Sequence, residues 1–148
     1  MKVLVTGGSG YFGSLLINKL LQKGYDLGSL DINKPHTVSK SVIFHEVDIR
    51  DRKSLDEHLR GYDIIFHNVA QVPLAKDKKL FREVNVDGTK NILDSALKNN
   101  VRKIIYTSSS AIYGVPKINP VNEKTVPTPG EAYGNAKLEA EKICELYS

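Results

Sequence analysis

The chain has 148 residues, of which 41% are hydrophobic and 26% are charged, a balance typical of one folded domain and unlike that of a disordered chain. The 21 basic and 17 acidic side chains leave a formal net charge of +4, and the lysines are scattered, which argues against a nucleic-acid partner. A single cysteine, four histidines without metal-ligand spacing and the lack of an apolar run of about 18 residues argue against a disulfide scaffold, a zinc module and a membrane span. We therefore expect a cytoplasmic protein that binds neither a metal ion nor a membrane.

Short apolar strands alternate with helical patterns along the chain. Strands are predicted at residues 2–6, 25–31, 42–47, 64–66 and 103–107, and helices at residues 12–23, 51–59, 80–97 and 131–146. This alternation predicts an α/β fold with a doubly wound, Rossmann-type parallel sheet and helices on both of its faces. Residues 114–130 contain four prolines and are expected to form a long loop on the side where such sheets bind ligands.

The clearest motif is TGGSGYFG at residues 6–13, which follows the first strand and opens the first helix. Glycines at this point allow a tight turn, let backbone N–H groups approach a pyrophosphate and allow the helix to pack closely on the strand. A tight turn that binds nothing is the alternative. Asp31 weighs against it, because it ends the second strand, 18 residues beyond Gly13, where an acid can accept hydrogen bonds from ribose hydroxyls. The sequence therefore predicts a dinucleotide-binding site.

Two Tyr-x-x-x-Lys pairs occur, at Tyr113 with Lys117 and at Tyr133 with Lys137. On a helix this spacing places both side chains on one face, where the ammonium lowers the pKa of the phenol and makes the tyrosinate available as a base. Pro116 would break a helix at the first pair. The second pair is therefore the candidate for chemistry.

Two strand ends carry polar residues whose roles the residues alone leave open. Serines at positions 108–110 follow the fifth strand, where a hydroxyl could hydrogen-bond a substrate oxygen while Tyr133 moves its proton; a serine-rich turn without chemistry is the alternative. Asp48 ends the third strand and could contact an adenine ring. Taken without further information, it is interpreted as the cap of the following helix, for which Asp51 is also a candidate.

Together these motifs resemble the extended short-chain dehydrogenases/reductases, and specifically the NAD-dependent epimerase/dehydratase family, which acts on nucleotide sugars. The motifs follow one another in the family's order across the whole chain. They are TGGSGYFG at residues 6–13, Asp31, Asp48-Ile49, HNVA at residues 67–70, NVDGT at residues 85–89, the Ser108-Ser109 segment that ends in Tyr113-Gly114, and Tyr133-x-x-x-Lys137.

The resemblance implies NAD as the cofactor and assigns residues to its parts. These residues are Gly7, Gly10, Tyr11, Phe12 and Gly13 at the pyrophosphate, Asp31 at the adenosine ribose, Asp48 and Ile49 at the adenine, Val69 and Ala70 beside the nicotinamide half, and Asn85, Tyr133 and Lys137 near the active site. For Asp48, the resemblance thus replaces the cap by an adenine contact.

The resemblance also implies a mechanism. Tyr133 would take the proton of a sugar hydroxyl while NAD takes a hydride, which gives a transient keto-sugar. Lys137 would tune Tyr133 and bind the nicotinamide ribose. Counted back from Tyr113, Ser109 matches the family's serine or threonine better than its two neighbours do. The cofactor would supply the redox step and the protein the orientation and proton transfer.

Members of this family are roughly twice as long as this chain. We therefore expect residues 1–148 to form an NAD-binding Rossmann domain, truncated after the helix that follows the fifth strand, without the substrate-binding C-terminal region and inactive alone. An NAD-binding sensor or interaction module without turnover, and a reductase of the same superfamily acting on a non-sugar carbonyl compound, are the alternatives. The apolar stripe of Leu138, Ala140 and Ile143 on the last helix either packs on the sheet or forms an interface, as in a homodimer.

Overall fold

The computed structural model describes residues 1–35, 39–73 and 78–148. Its strands are β1 (Lys2–Thr6), β2 (Asp26–Asp31), β3 (Val42–Glu46), β4 (Ile64–His67) and β5 (Lys103–Tyr106). Its helices are α1 (Tyr11–Gln22), α2 (Arg52–His58), α3 (Lys78–Leu80), α4 (Thr89–Lys98) and α5 (Ala132–Leu146), with a π-helical segment at Phe81–Gly88 and a 3₁₀ turn at Ser110–Tyr113. The predicted alternation of strands and helices is confirmed.

All five strands form one parallel sheet in the order β3-β2-β1-β4-β5. The chain first moves outward from β1 to β3 and then crosses back to β4 on the other side of β1. The strand order therefore reverses between β1 and β4, which is the position at which open α/β sheets bind ligands at the carboxyl ends of their strands.

One face of the sheet is covered by α1. The buried residues that pack together there are Val3, Val5, Ile17, Leu20 and Leu27. They come from β1, β2 and α1, and the strand residues Val3, Val5 and Leu27 share this face because successive side chains of a strand point to opposite faces of the sheet. The same alternation directs Leu4 to the opposite face.

The opposite face carries α2. Gly28 lies beside Leu4 in the register of β1 and β2, and a Cβ atom on Gly28 would overlap the side chain of Tyr62. On the same face, the ring of His45 from β3 contacts the ring of His58 from α2. Helices thus cover both faces of the sheet, as a doubly wound Rossmann fold requires.

A polar network joins α2 to α4. The carboxylate of Asp56 accepts hydrogen bonds from Arg52, Ser95 and Lys98 at 3.1, 2.7 and 2.6 Å, and its main-chain carbonyl accepts one from the amide of Asn99 at 3.1 Å. Donors on three sides hold the pKa of Asp56 well below its usual range, with the bond from Lys98 as the largest cause. The network keeps α4 in register with α2.

The helix predicted at residues 80–97 is not a regular α-helix. Its first part, Phe81–Gly88, is π-helical, and regular α-helix follows only at Thr89–Lys98. π-Helical turns are rare in proteins, and many of those that occur lie at functional sites. This one contains Asn85, one of the residues that the resemblance assigns to the active site.

The chain divides into two compact units. The first comprises Met1–Val69 and Asn91–Thr107, and contains the whole sheet; the second comprises Ala70–Lys90 and Ser108–Ser148. In the second unit, buried Phe81, Val86 and Ala136 pack together with partly buried Tyr133 and Ile143. That one domain spans residues 1–148 stays a prediction.

Candidate functional site

The glycine loop of the first unit has no room for side chains at Gly7 and Gly13. Gly7 adopts a positive φ of 69°, and a Cβ atom there would lie 3.1 Å from the backbone nitrogen of Val69. A Cβ atom on Gly13 would overlap the carbonyl oxygen of Gly7. Gly10 precedes α1 in an extended conformation and donates its N–H to the Gly7 carbonyl at 3.1 Å. The backbone therefore forms a side-chain-free cradle at the start of α1.

This cradle fits the pyrophosphate of a dinucleotide. The N-terminus of α1 presents backbone N–H groups and the positive end of the helix dipole, and the first turn contains no acidic side chain that would repel an anion. Tyr11 and Phe12 begin the helix, and their side chains are 86% and 56% exposed. Two large apolar side chains thus flank the cradle and are available to cover a ligand.

Asp31 connects the glycine loop to the segment that follows β2. Its carboxylate accepts the backbone N–H of Ser9 at 3.1 Å and that of Asn33 at 3.0 Å. The hydroxyl of Ser9 in turn donates to the carbonyl of Asn33 at 2.5 Å. Each carboxylate oxygen can accept more than one hydrogen bond, so Asp31 can also accept from two ribose hydroxyls.

The interpretation of Asp48 as a helix cap is wrong, because Asp51 caps α2. Asp51 accepts the backbone N–H of Ser54 at 3.2 Å and its hydroxyl at 2.6 Å. The carboxylate of Asp48 instead accepts the backbone N–H of Arg50 at 2.9 Å and its guanidinium at 2.6 Å. The side-chain bond from Arg50 is the largest cause that lowers the pKa of Asp48. Asp48 is therefore held as an ionised acceptor directly before buried Ile49.

The turn formed by Asp48, Ile49 and Arg50 is held by a residue that the sequence does not single out. The side-chain amide of Asn91, on α4, donates to the carbonyl of Ile49 at 3.1 Å and to that of Arg50 at 3.3 Å. Asn91 lies 42 residues from Ile49 and 41 residues from Arg50 along the chain. No local pattern could have identified them.

A second network joins the carboxyl ends of β1, β4 and β5. The hydroxyl of Thr6 lies 2.7 Å from Nδ1 of His67 and accepts the backbone N–H of Asn68 at 3.2 Å. The hydroxyl of Thr107 donates to the side chain of Asn68 at 2.6 Å. His67 is 1% exposed and acts as a hydrogen-bonded core residue. The network holds the backbone of Val69 close to the glycine loop.

In the second unit, Asn85 is a buried clamp on the segment that follows Ala70. Its side-chain oxygen accepts the backbone N–H of Gln71 at 2.7 Å, and its side-chain nitrogen donates to the carbonyl of Gln71 at 3.0 Å. The carbonyl of Asn85 accepts the hydroxyl of Thr89 at 2.8 Å. Both ends of the Asn85 amide are thus engaged by the backbone of a single residue.

Ser109 caps the 3₁₀ turn, and α5 packs directly on that turn. The hydroxyl oxygen of Ser109 accepts the backbone N–H of Ala111 at 3.2 Å, which leaves the hydroxyl proton to donate. A Cβ atom on Gly134 would lie 2.5 Å from the carbonyl oxygen of Ala111, so only glycine allows this approach. Gly134 follows Tyr133 in the sequence, and the contact brings the first turn of α5 to the segment that contains Ser109. Sequence reasoning did not single out Gly134.

Tyr133 and Lys137 lie one turn apart on α5 and share one face of it. Tyr133 packs edge to face against Phe81 with ring centroids 6.2 Å apart. Lys137 is only 2% exposed, and burial lowers its pKa to about 8. The other pair differs, since Tyr113 ends the 3₁₀ turn and Lys117 lies in the loop beyond it.

The described ranges offer neither a metal cluster nor a membrane-spanning helix. Residues 1–35, 39–73 and 78–148 contain no group of three or more His, Cys, Asp or Glu side chains that could hold a metal ion. Within the same residues, no helix is long and apolar enough to cross a membrane.

Comparison with known proteins identifies a family for these features. Residues 3–148 match the sequence model of the NAD dependent epimerase/dehydratase family. An uncharacterized protein, y4nG, of Sinorhizobium fredii is 50% identical over 96% of this chain and 36% of its own length. A putative UDP-glucose 4-epimerase of Methanocaldococcus jannaschii is 34% identical over 99% of this chain and 50% of its own length.

Solved structures agree with these sequence matches. The UDP-glucose 4-epimerase of Thermus thermophilus in complex with NAD is 33% identical and superposes with a TM-score of 0.92 over 99% of this chain and 50% of its own chain. A short-chain dehydrogenase/reductase superfamily protein from Agrobacterium tumefaciens with bound NAD is 27% identical, with a TM-score of 0.92 over 99% of this chain and 45% of its own. The chain thus spans about half the length, or less, of these relatives.

Proposed function

The chain belongs to the NAD-dependent epimerase/dehydratase family, and from this premise we propose that it supplies the NAD-binding half of an enzyme that epimerises or dehydrates a nucleotide-diphosphate sugar through a transient keto-sugar. The observation that carries this proposal is the close packing of α5 on the turn after Ser109, at Gly134 and Ala111. In the second unit it brings the first turn of α5, which carries Tyr133, to the segment that contains Ser109, and buried Lys137 lies one turn further along the same helix. These three groups are what proton transfer to and from a sugar hydroxyl requires.

The first unit supports the cofactor part of the proposal. NAD, when bound, supplies the acceptor for the hydride that leaves the sugar carbon and later returns it. The residues proposed to contact NAD are Gly7, Gly10, Tyr11, Phe12 and Gly13 at the pyrophosphate, Asp31 at the ribose, Asp48 and Ile49 at the adenine, and Val69, Ala70, Asn85, Tyr133 and Lys137 toward the nicotinamide. The side-chain-free cradle of Gly7 and Gly13 and the carboxylates of Asp31 and Asp48 are the features that fit the group.

The second unit supports the catalytic part. We assign Tyr133 as the base: its phenolate oxygen takes the proton of the sugar hydroxyl as the carbon–oxygen bond becomes a carbonyl. Lys137 lies one turn further along the same face of α5, and we assign it to the support of Tyr133 and to the nicotinamide ribose. With its own pKa near 8, Lys137 is still mostly charged at neutral pH. Ser109 donates its hydroxyl proton to the sugar oxygen and orients it.

The substrate class follows from the relatives. The Methanocaldococcus protein is a putative UDP-glucose 4-epimerase, and the Thermus structure is a UDP-glucose 4-epimerase complex with NAD. We carry only the chemical class, a nucleotide-diphosphate sugar, to this chain. Orientation of such a substrate accounts for several kcal/mol of a typical barrier, so we expect residues 1–148 alone to bind NAD and to turn over no sugar.

A chimeric enzyme tests the proposal. Residues 1–148 are joined to the part of the Thermus epimerase that the chain does not cover, and the product is assayed with UDP-, dTDP- and GDP-sugars. Epimerisation or dehydration by the chimera, lost in the Tyr133→Phe variant, is the expected result. NAD binding without turnover would favour a sensor or interaction module, and reduction of a non-sugar carbonyl compound alone would favour a reductase. Turnover by the unfused chain would overturn the division of roles between the two halves.

A further inference from the structure

We propose that Asn91 is a positioning residue for adenine recognition. It makes no assigned contact with NAD, but it orients the turn of Asp48, Ile49 and Arg50 that would read the adenine ring. The inference rests on the proposed function, in which Asp48 and Ile49 contact the adenine of NAD.

Asn91 fixes two consecutive peptide groups of this turn. Its amide nitrogen donates to the carbonyls of Ile49 and Arg50 at 3.1 and 3.3 Å. A carbonyl held by a hydrogen bond fixes the plane of its peptide group, and two in succession fix the dihedral angles between them. Ile49 is 3% exposed, and the burial of its side chain anchors the same turn. The turn is thus held by a side chain of α4 in addition to the hydrogen bonds within the turn itself.

The helix that carries Asn91 is itself held in place. Arg52, on α2, donates to the carboxylate of Asp94, on α4, at 2.7 Å. Ser95, also on α4, donates to the carboxylate of Asp56 on α2 at 2.7 Å. These contacts lie on the turn of α4 that follows Asn91. Asn91 therefore has a rigid support from which to orient the turn.

The orientation of the turn matters because it sets the direction in which the carboxylate of Asp48 points. Its carboxylate accepts both the backbone N–H and the guanidinium of Arg50, so its position depends on the conformation at Arg50, whose carbonyl Asn91 holds. An ionised carboxylate matches the exocyclic amino group of adenine, which is a donor. Loss of the Asn91 amide would free the turn, and the carboxylate would no longer be pre-oriented toward that amino group.

The chain contains a matched control for this role. Asn99, just beyond α4, also donates its side-chain amide to two backbone carbonyls, those of Asp56 at 3.1 Å and Ser95 at 2.9 Å. These partners belong to α2 and α4 and not to the adenine turn. Asn91→Ala and Asn99→Ala therefore remove the same number of hydrogen bonds of the same kind at different places.

The test compares two cofactors that differ at one group. The affinities of residues 1–148 for NAD and for the NAD analogue that carries unsubstituted purine in place of adenine, so that the amino group is replaced by a hydrogen atom, are measured by calorimetry. We expect the unchanged chain to prefer NAD, and Asn91→Ala to reduce this preference by roughly tenfold, as the loss of one to two oriented hydrogen bonds implies. Asn99→Ala should lower the melting temperature comparably and keep the preference. General destabilisation would affect both cofactors alike, so it cannot mimic this result.

A second variant keeps the test informative if Asn91→Ala fails to fold. Asn91→Asp keeps the shape of the side chain but replaces the donor by an acceptor, and it should reduce the preference for NAD at least as much as Asn91→Ala. An unchanged preference in both Asn91 variants, or an equal loss in Asn99→Ala, would overturn the inference, as would an unchanged chain that binds the two cofactors equally. An unchanged chain that binds neither would overturn the proposed function itself, which is a distinct result.

Discussion

The rings of His45, on β3, and His58, on α2, meet edge to face with their centroids 5.2 Å apart. Nε2 of His45 lies 2.7 Å from the hydroxyl of Tyr62, and the ammonium of Lys2 lies 4.8 Å from the centre of the Tyr62 ring. Burial lowers the pKa of His45 below its ordinary value, and the charges of His58 and Lys2 lower it further. A positive charge on His45 is therefore unfavourable in the folded chain.

This cluster predicts that acid destabilises the fold. The pKa of His45 is lower in the folded than in the unfolded chain, so the unfolded chain binds the additional proton first. The contribution of His45 to the free energy of unfolding is fully present above the ordinary histidine pKa of about 6.5. This contribution is lost as the pH falls from there through the pKa of the folded chain. Thermal unfolding measured from pH 8 to pH 5 tests this expectation. His45→Gln, which keeps a partner for Tyr62 and does not titrate, should flatten the slope; an equal slope in both proteins would contradict it.

Substitution at Gly13 should abolish NAD binding. A Cβ atom in Gly13→Ala would overlap the carbonyl of Gly7, so the cradle must shift, and such overpacking destabilises by roughly 1–3 kcal/mol. Gly130→Ala is the control, because a Cβ atom there meets nothing within 4 Å. Calorimetry with NAD and thermal unfolding measure the two effects. If Gly13→Ala bound NAD as tightly as Gly130→Ala, the cradle would not be the pyrophosphate site.

Asp31 should make the chain prefer NAD to NADP. Its carboxylate can accept from ribose hydroxyls, whereas its negative charge would repel a 2′-phosphate. Neighbouring Lys34 offsets part of this repulsion, so we expect a preference of roughly ten- to a hundredfold, or about 1.4–2.8 kcal/mol. Titration calorimetry with both cofactors measures it. Asp31→Asn, which lacks the charge, should reduce the preference; equal or tighter binding of NADP by the unchanged chain would refute the assignment.

Tyr133 and Tyr113 should differ in their importance for turnover. In the chimeric enzyme, Tyr133→Phe removes the proton-transferring oxygen and should lower kcat by roughly 10²- to 10⁴-fold, with most of the NAD affinity retained because the ring still packs on Phe81. Tyr113→Phe should change kcat far less, since Lys117 lies outside any helix. Steady-state kinetics and NAD titration measure both. Equal losses in the two variants would show that the choice between the two pairs is wrong.

The sequence by itself determined the order of the elements and the position of the cradle. Both depend on local requirements: apolar runs of strand length separated by helical patterns, and glycines where a backbone must turn and pack closely, as at Gly7 and Gly13. The position of Asp31 at the end of β2 has the same local basis, because Asp31 ends a short strand pattern. The resemblance to a family rests on these same local motifs in order, and the family is confirmed.

The tertiary structure decided what depends on contacts between distant parts of the chain. Asp48 and Asp51 lie three residues apart and are chemically identical, and only the start of α2 shows that Asp51 is the cap. The hydrogen bonds of Asn91 to a turn 42 and 41 residues away, and the burial of Lys137, leave no periodic trace. Local propensity reports the conformation of a residue and its near neighbours, whereas the direction and partner of a side chain are set by the elements that pack against it.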